Sequence, residues 1–374
     1  MMAVTPQLNL QNVIGHVPEK MLAAVYHGIN DVRMETVAVP EIGPGELLVR
    51  VHTCGICGTD LKKVATGSHS APRIFGHEMA GVVVRAGKGV TRFAEGDRVM
   101  VFHHIPCRNC FYCRKKVFAQ CETYKRVGTT AGYGEPSGGG FAEYIRVMDW
   151  IVNDGGVLRI PDEVSFEQAS HIEPVNTVWK AIDLLAPQPD EAVLVIGQGP
   201  IGLLLAYLAK RRGATVLTSD LFDQRLTISA GYGLTNCIDA SNTNVVTRVR
   251  ELTETRGADA VVLAVGGDAL IRTAMDAARP GGRVMLFAQT TRGEAKFDPS
   301  SICVDEKTLL GSYSASVELN DEVARFVFSR EMNLEKLYSH RFPLEQALEA
   351  LKLAAHPQPD TMKIAIQPGG NWEG

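Results

Sequence analysis

AVLVIGQGPIGLLLAYLAKRR, Ala192–Arg212, is the stretch on which the fold of this chain turns. It opens with an unbroken apolar run, Ala192–Ile196, without the in–out alternation of a strand that faces water on one side. Such a run marks a strand buried on both faces, as in a parallel sheet covered by helices. Gly197-Gln198-Gly199-Pro200-Ile201-Gly202 follows at once, and an apolar helical stretch follows that. The first glycine permits the tight turn, the second lets backbone approach a pyrophosphate, and the third allows close helix–strand packing. The helix N-terminus then offers free N–H groups and a positive dipole end to the phosphates. Alone, a G-x-G-x-x-G pattern is weak, and an α/β domain that binds no nucleotide is the competing reading. Between a buried strand and a helix, the pattern predicts a dinucleotide site.

Toward the C-terminus the same rhythm continues. The runs ATVLTS (214–219), DAVVLAV (259–265) and GRVMLFA (282–288) alternate with helical stretches such as ALIRTAMDAA (269–278), which predicts a doubly wound α/β domain. The second strand ends at Asp220. A carboxylate there accepts hydrogen bonds from both adenosine ribose hydroxyls and repels a 2′-phosphate, so NAD is expected rather than NADP. Arg225 and the pair Arg211–Arg212 are the basic groups that could reverse this preference.

Toward the N-terminus the texture changes. Before about Glu173 short apolar runs, LLVRV (47–51), AGVVV (80–84) and DRVMVF (97–102), are broken by Gly and Pro clusters, a β-rich pattern. The glycine-rich GYGEPSGGGFAEYI (132–145) is expected to be loop until its last residues. The linker APQPDE (186–191) precedes the first parallel strand. After Tyr313 the rhythm breaks again, into helices around Glu322–Phe328 and Leu344–Ala355 and a last strand near Lys363–Ile366. Residues 1–20 are expected to form an appended arm.

The chain has 374 residues, 45% of them hydrophobic and 21% charged, enough for two domains with sizeable cores. A net charge of −4 gives no polyanion-binding surface, so nucleic acid is not an expected partner. The opening residues lack a basic segment followed by an apolar run, and no stretch approaches the ~18–20 apolar residues of a membrane span. A cytoplasmic protein without a membrane partner is expected.

A second cluster lies in CRNCFYCRKKVFAQC, where Cys107, Cys110, Cys113 and Cys121 are spaced Cys-x2-Cys-x2-Cys-x7-Cys. Two tight steps let thiolates converge, and the fourth closes a tetrahedron with no position left for substrate. This predicts a structural zinc, against the alternative of two disulfides. A third cluster is looser: Cys57 in Cys54-Gly-Ile-Cys57-Gly58-Thr59-Asp60, His77-Glu78 in FGHEMAG, and Glu173 in His-Ile-Glu-Pro. Singly, His77 reads as a satisfied core residue and Cys54/Cys57 as a redox dithiol. Coupled to a dinucleotide turn, they suit a hydride-transfer enzyme, which needs a Lewis acid to polarise the alcohol oxygen.

The order of motifs, GHE, four-cysteine lobe, GGFAEYI, GxGxxG and PGGRV, resembles the zinc-dependent medium-chain alcohol dehydrogenase family over residues 21–366. Glu173 in its His-Ile-Glu-Pro setting resembles the polyol (sorbitol) and threonine dehydrogenase branch. The resemblance implies a GroES-like β-rich catalytic domain (21–174 and 318–374, with a structural-zinc lobe at 103–124) and a Rossmann NAD-binding domain (175–317). It implies a catalytic zinc held by Cys57, His77 and Glu78 or Glu173, either carboxylate acting directly or through water. Asp60 would accept the second ring N–H of His77, and Thr59 would start a proton relay. Gly197, Gly199, Pro200, Ile201, Gly202, Asp220, Arg225 and Val265 would hold the cofactor. Two zinc ions per chain, a small alcohol substrate and a homo-oligomer, a tetramer rather than a dimer, are implied too.

One departure stands out. Relatives often carry a His shortly after Thr-Asp, whereas this chain reads Asp60-Leu61-Lys62-Lys63, leaving ribose hydroxyls, water or Lys62 as the last proton carrier. Phe75, Phe102 and Phe141 are the expected pocket-lining residues; Cys54, Cys237 and Cys303 have no partner by spacing. The function expected is hydride transfer between a secondary alcohol (polyol, sugar alcohol or hydroxy amino acid) and NAD. The alternatives are a zinc-free quinone or enoyl reductase of the same fold, a non-catalytic NAD-sensing regulator, and a zinc-ribbon protein that binds nucleic acid.

Overall fold

The computed structural model describes residues 15–102, 105–123, 139–288 and 293–368. Most of the expected N-terminal arm and much of the glycine-rich stretch before Phe141 fall outside the described residues. The chain divides into two compact units, one built from the residues up to Glu173 together with those from Ser316 onward, the other from Pro174–Ala315. Among the described residues no helix is long and apolar enough to cross a membrane.

The first unit carries β1 (Lys20–Gly28), β2 (Asp31–Ala38), β3 (Leu47–Gly55), β4 (Arg73–Ile74), β5 (Glu78–Ala86), β6 (Arg98–Val101), β7 (Tyr144–Val147) and β8 (Val157–Arg159). The second carries β9 (Ala192–Ile196), β10 (Thr215–Asp220), β11 (Asn236–Asp239), β12 (Ala258–Leu263), β13 (Ala278–Leu286) and β14 (Thr308–Gly311). The chain then returns to the first unit for β15 (Tyr338–Pro343) and β16 (Lys363–Gln367).

In the second unit six parallel strands run in the order β11-β10-β9-β12-β13-β14. The order reverses beside β9, and in open α/β sheets that switch point opens a ligand crevice at the strand ends. All five residues of β9 are buried, as an apolar run without alternation requires. Gly197 adopts φ 92°, a left-handed value that favours glycine. At Gly202 a Cβ would run into the carbonyl oxygen of Gly197. The turn is therefore drawn tight enough for the helix Pro200–Arg211 to start directly above the strand.

The first unit holds a three-stranded sheet, β2-β1-β4, and a seven-stranded sheet in which β15-β16-β3-β5-β6-β8 are neighbours and β7 also pairs with β3. One register matters most. β3 and β5 are antiparallel with Gly55 opposite Glu78, so the end of one strand meets the start of the next. On its other side β3 pairs with β16, Ala365 facing Gly55 and Ile366 facing Cys54. Three chain segments, around residues 57, 77 and 363, are thus delivered to one corner.

Candidate metal and cofactor sites

Cys57 sits two residues past β3 and caps the helix Gly58–Thr66. Its N–H donates to Asp60 Oδ2 at 3.1 Å, satisfying one orphan donor of the first turn. The helix ends at Gly67, φ 64°, whose N–H donates to Lys63 O. This short capped helix turns Thr59 and Asp60 toward His77. His77 Nδ1–H donates to Asp60 Oδ1 at 3.1 Å, an orientation that turns Nε2 toward Cys57 and Thr59, the side on which a metal would bind. The Thr59 hydroxyl lies 3.3 Å from Cys57 Sγ and 3.4 Å from His77 Nε2.

Cys57, His77 and Glu78 each offer one ligand atom, and these atoms lie within 4.8 Å of one another. His77 and Glu78 are 4% and 1% exposed. Glu78 Oε1 is buried with no hydrogen-bond partner among the described residues, and a bare buried carboxylate oxygen is costly unless something positive meets it. That orphaned oxygen, beside a thiol and an oriented imidazole, fits a divalent metal with soft and borderline donors.

The charges around the cluster are interlocked. Burial would raise the Asp60 carboxyl, but His77 and then Lys63 hold it down to about 2. Burial works against charging His77, yet Asp60 and Cys57 carry its imidazole well above the usual range. Glu173, 6% exposed, is pushed up to about 7 by burial, with His77 opposing and Glu78 adding to the rise. It lies in the first turn of the helix Ile172–Leu185. The three-residue ligand cluster does not include Glu173, although its titration feels His77, Glu78 and Asp60.

Lys363 belongs to none of the sequence motifs. It is 5% exposed and its ammonium forms an ion pair with Glu78 Oε2. Burial opposes its charge, and Glu78 more than restores it. Gly55 makes the packing possible, because a Cβ there would meet Glu78 Oε2, Lys363 Cε and the Tyr338 hydroxyl. That hydroxyl is 2.8 Å from Ser170 Oγ. A lysine opening the apolar strand KIAI is the available sequence signal, since a buried strand tolerates an ammonium only with a counter-ion.

Phe75, Phe102 and Phe141 are 3%, 3% and 2% exposed. Phe75 packs on Tyr26, ring centroids 5.1 Å apart, with the Lys63 ammonium 5.4 Å from its ring. Cys54 is buried, Cys237 half-buried and Cys303 exposed; all eight cysteines are free thiols.

The four-cysteine lobe contrasts with this corner. Cys107, Cys110, Cys113 and Cys121 bring their sulfurs within 4.8 Å of one another. Cys107 Sγ and Cys113 Sγ are 4.0 Å apart, far beyond a disulfide's ~2.05 Å and near the edge of a tetrahedron with ~2.3 Å metal–sulfur bonds. Against the effect of its partial burial, the N–H groups of Asn109 and Cys110 hold the Cys107 thiol down to about 6. The donor set fits zinc. The buried core beneath is Cys113, Phe118 and Cys121, with Cys107, Cys110 and Val317 packed against it.

At the nucleotide turn, Asp220 Oδ2 accepts the Gln198 N–H at 2.6 Å and Oδ1 accepts the Phe222 N–H at 3.0 Å. The carboxylate is thereby fixed at the end of β10. Arg225 Nη1 stands 3.9 Å from Asp220 Oδ2, its guanidinium over the Phe222 ring. Pro200 occupies the first helical turn after the Gly199 cap, and Val265 closes against Gly197.

Two family models match: the alcohol dehydrogenase GroES-like domain over residues 43–161 and the zinc-binding dehydrogenase over residues 200–329. A sorbitol dehydrogenase of Bombyx mori is 30% identical over 355 residues, covering 92% of this chain and 97% of its own. Among solved structures, the alcohol dehydrogenase TADH of Thermus sp. ATN1 superposes with a TM-score of 0.81 at 30% identity, covering 93% of this chain and all of its own. An Escherichia coli CFT073 alcohol dehydrogenase complexed with NADH gives 0.81 at 25% identity, covering 94% of this chain and 100% of its own.

Proposed function

The chain belongs to the zinc-dependent medium-chain alcohol dehydrogenase family, and from that premise we propose that it oxidises a secondary alcohol, a polyol first among candidates, with NAD as hydride acceptor. Zinc and a nicotinamide cofactor are its working parts. The observation that carries the reading is the corner of Cys57, His77 and Glu78, whose ligand atoms lie within 4.8 Å of one another and include the unpartnered Glu78 Oε1. The polyol preference rests on likeness to the silkworm sorbitol dehydrogenase.

Cys57, His77 and Glu78 would hold the catalytic metal, with Glu173 the further carboxylate at this corner. Zinc bound there supplies a Lewis acid that draws the pKa of an alcohol hydroxyl toward neutrality. Asp60 fixes the His77 tautomer and ring plane, which strengthens Nε2 as a donor. The Thr59 hydroxyl, poised beside both Cys57 Sγ and His77 Nε2, takes the substrate's proton outward. Relatives often carry a histidine shortly after Thr-Asp; here ribose hydroxyls and water, or Lys62, would carry the proton on. Lys363 balances Glu78, so the buried corner does not accumulate uncompensated negative charge. A nicotinamide cofactor, when bound, would supply the hydride acceptor, while Thr59 gives the hydroxyl proton a separate way out.

NAD is favoured over NADP because the Asp220 carboxylate is pinned by two backbone N–H groups and cannot swing away from a 2′-phosphate. Arg225 is the residue that opposes this preference. A second zinc in the four-cysteine lobe makes two per chain, and a cytoplasmic homotetramer completes the reading. The deciding experiment is a metal count by plasma emission with NAD reduction followed at 340 nm over sorbitol, xylitol, butanediol and threonine. Two zincs per chain and turnover of a polyol are expected. A metal-free protein, or one inert toward every alcohol yet active on quinones, would overturn the proposal.

A further inference from the structure

We infer that the four-cysteine lobe is a metal-dependent latch on the two places where the chain leaves and re-enters the unit carrying Cys57, His77 and Glu78. The inference rests on the reading that the lobe holds a metal. The chain re-enters that unit at Ser316, and its first structure there is the tight turn Val317–Leu319. Val317 packs against the lobe's core of Cys113, Phe118 and Cys121. Glu318 Oε2 pairs with Lys116 Nζ at 3.2 Å. That pair is 50% and 72% exposed, so it adds little, and the apolar contact of Val317 carries the coupling.

The turn runs directly into the helix Asn320–Phe328. At its far end Val327 O accepts a bond from Gln168 Nε2 at 2.9 Å. The same amide nitrogen donates to Met332 O at 3.0 Å, and Gln168 Oε1 accepts the Leu334 N–H at 2.9 Å. Gln168 is 1% exposed, so its three bonds are made in a dry setting where leaving them unmade is costly. It sits on the helix Phe166–Ser170, just ahead of Glu173, the last residue before the chain leaves the unit. Ser165 Oγ adds a bond to Glu335 Oε1 at 2.6 Å. One buried glutamine thus ties the outgoing crossing to the returning one, and Val317 ties the returning one to the lobe.

The lobe has so few buried apolar side chains of its own that its order comes from its metal. When the metal leaves, Val317 loses its packing surface, the returning turn loosens, and Gln168 is the next link. Metal occupancy at Cys107–Cys121 therefore reaches Glu173 without any contact with Cys57.

Hydrogen exchange and zinc transfer on the full chain test this. In Cys110→Ser, amides of residues 317–328 and 166–173 should exchange roughly tenfold faster or more, while those of β9 and β12 keep their protection. Linkage is reciprocal, so Val317→Ala should speed zinc transfer from the lobe to a chromogenic chelator several-fold. That measurement is made in a Cys57→Ser background, where the lobe's zinc alone is counted. A Cys110→Ser protein that keeps its full zinc overturns the metal reading itself. One that loses lobe zinc with both crossings still protected overturns the latch and leaves the metal reading standing. If Cys110→Ser does not fold, Val317→Ala decides, and an unchanged transfer rate overturns the latch.

Discussion

The four-cysteine lobe and the Cys57–His77–Glu78 corner hold similar donors in opposite ways. The lobe draws all four sulfurs from one short segment with a core of three buried residues. The corner draws its donors from the meeting ends of β3 and β5, inside a seven-stranded sheet whose register is fixed along both strands. On the proposed reading, a metal would make the structure in the first case, whereas in the second the structure would stand ready for the metal. Donor identity alone does not say whether a site is scaffold or chemistry. The amount of independent packing beneath it does.

The largest expected effect sets the two against each other. Cys57→Ser should lower turnover by roughly three orders of magnitude or more, the scale of losing a Lewis acid worth several kcal/mol. It should remove about one zinc per chain and leave the thermal midpoint near that of the parent. Cys110→Ser should do the reverse, lowering the midpoint and solubility first. Calorimetry and zinc analysis on both proteins check the pair, and the comparison breaks if Cys57→Ser proves the less stable.

Charge gives the next contrast. Lys363→Met strands Glu78 in a dry corner and should cost about 3–5 kcal/mol by chemical denaturation. Lys363→Met with Glu78→Gln should recover much of that loss. Lys116→Met removes an exposed partner of Glu318 at the lobe and should shift the denaturation curve by nothing measurable. Equal costs at the two lysines would mean that the sheet does not bury the corner as described.

The nucleotide turn extends the comparison to a site assembled from backbone. Asp220→Ser should weaken NAD and raise the NADP/NAD ratio of kcat/KM by roughly tenfold, about 1.4 kcal/mol, with stability little changed. A parent enzyme that already favours NADP would shift the reading of the ribose to Arg225.

What was legible follows the same division. The turn Gly197–Gly202 and the lobe are written in consecutive residues, and local geometry forces their reading: φ 92° at Gly197 and no room for a Cβ at Gly202. Cys57, His77, Asp60 and Thr59 were reachable because one short helix and one strand pairing join them. Lys363, Tyr338 and Gly55 were not, since their roles exist only once β16 lies beside β3. The helix Ile172–Leu185 is hard to see in the sequence because its apolar stretch begins where the β-rich texture ends. It carries Glu173, a residue that stands out by type while the element supporting it does not. Phe75 stacks at a tilt on Tyr26, and the Phe141 ring lies where a Cβ on Gly76 would meet it, contacts that show only once the strands have paired.

The pairing of Glu78 with Lys363 has a consequence for how the protein is made. Chains leave the ribosome N-terminus first, and domains tend to fold as units when complete. β9 to β14 lie within one continuous stretch and can close their sheet while the rest is still being synthesised. The corner cannot close then, because the strand bringing Lys363 is among the last to emerge. Until it does, Glu78 lacks its counter-charge and β3 lacks one neighbour. On the proposed reading, capture of a catalytic ion is thereby deferred to the final moments of biosynthesis, and a chain truncated before Lys363 would carry a finished nucleotide turn and an unfinished metal corner.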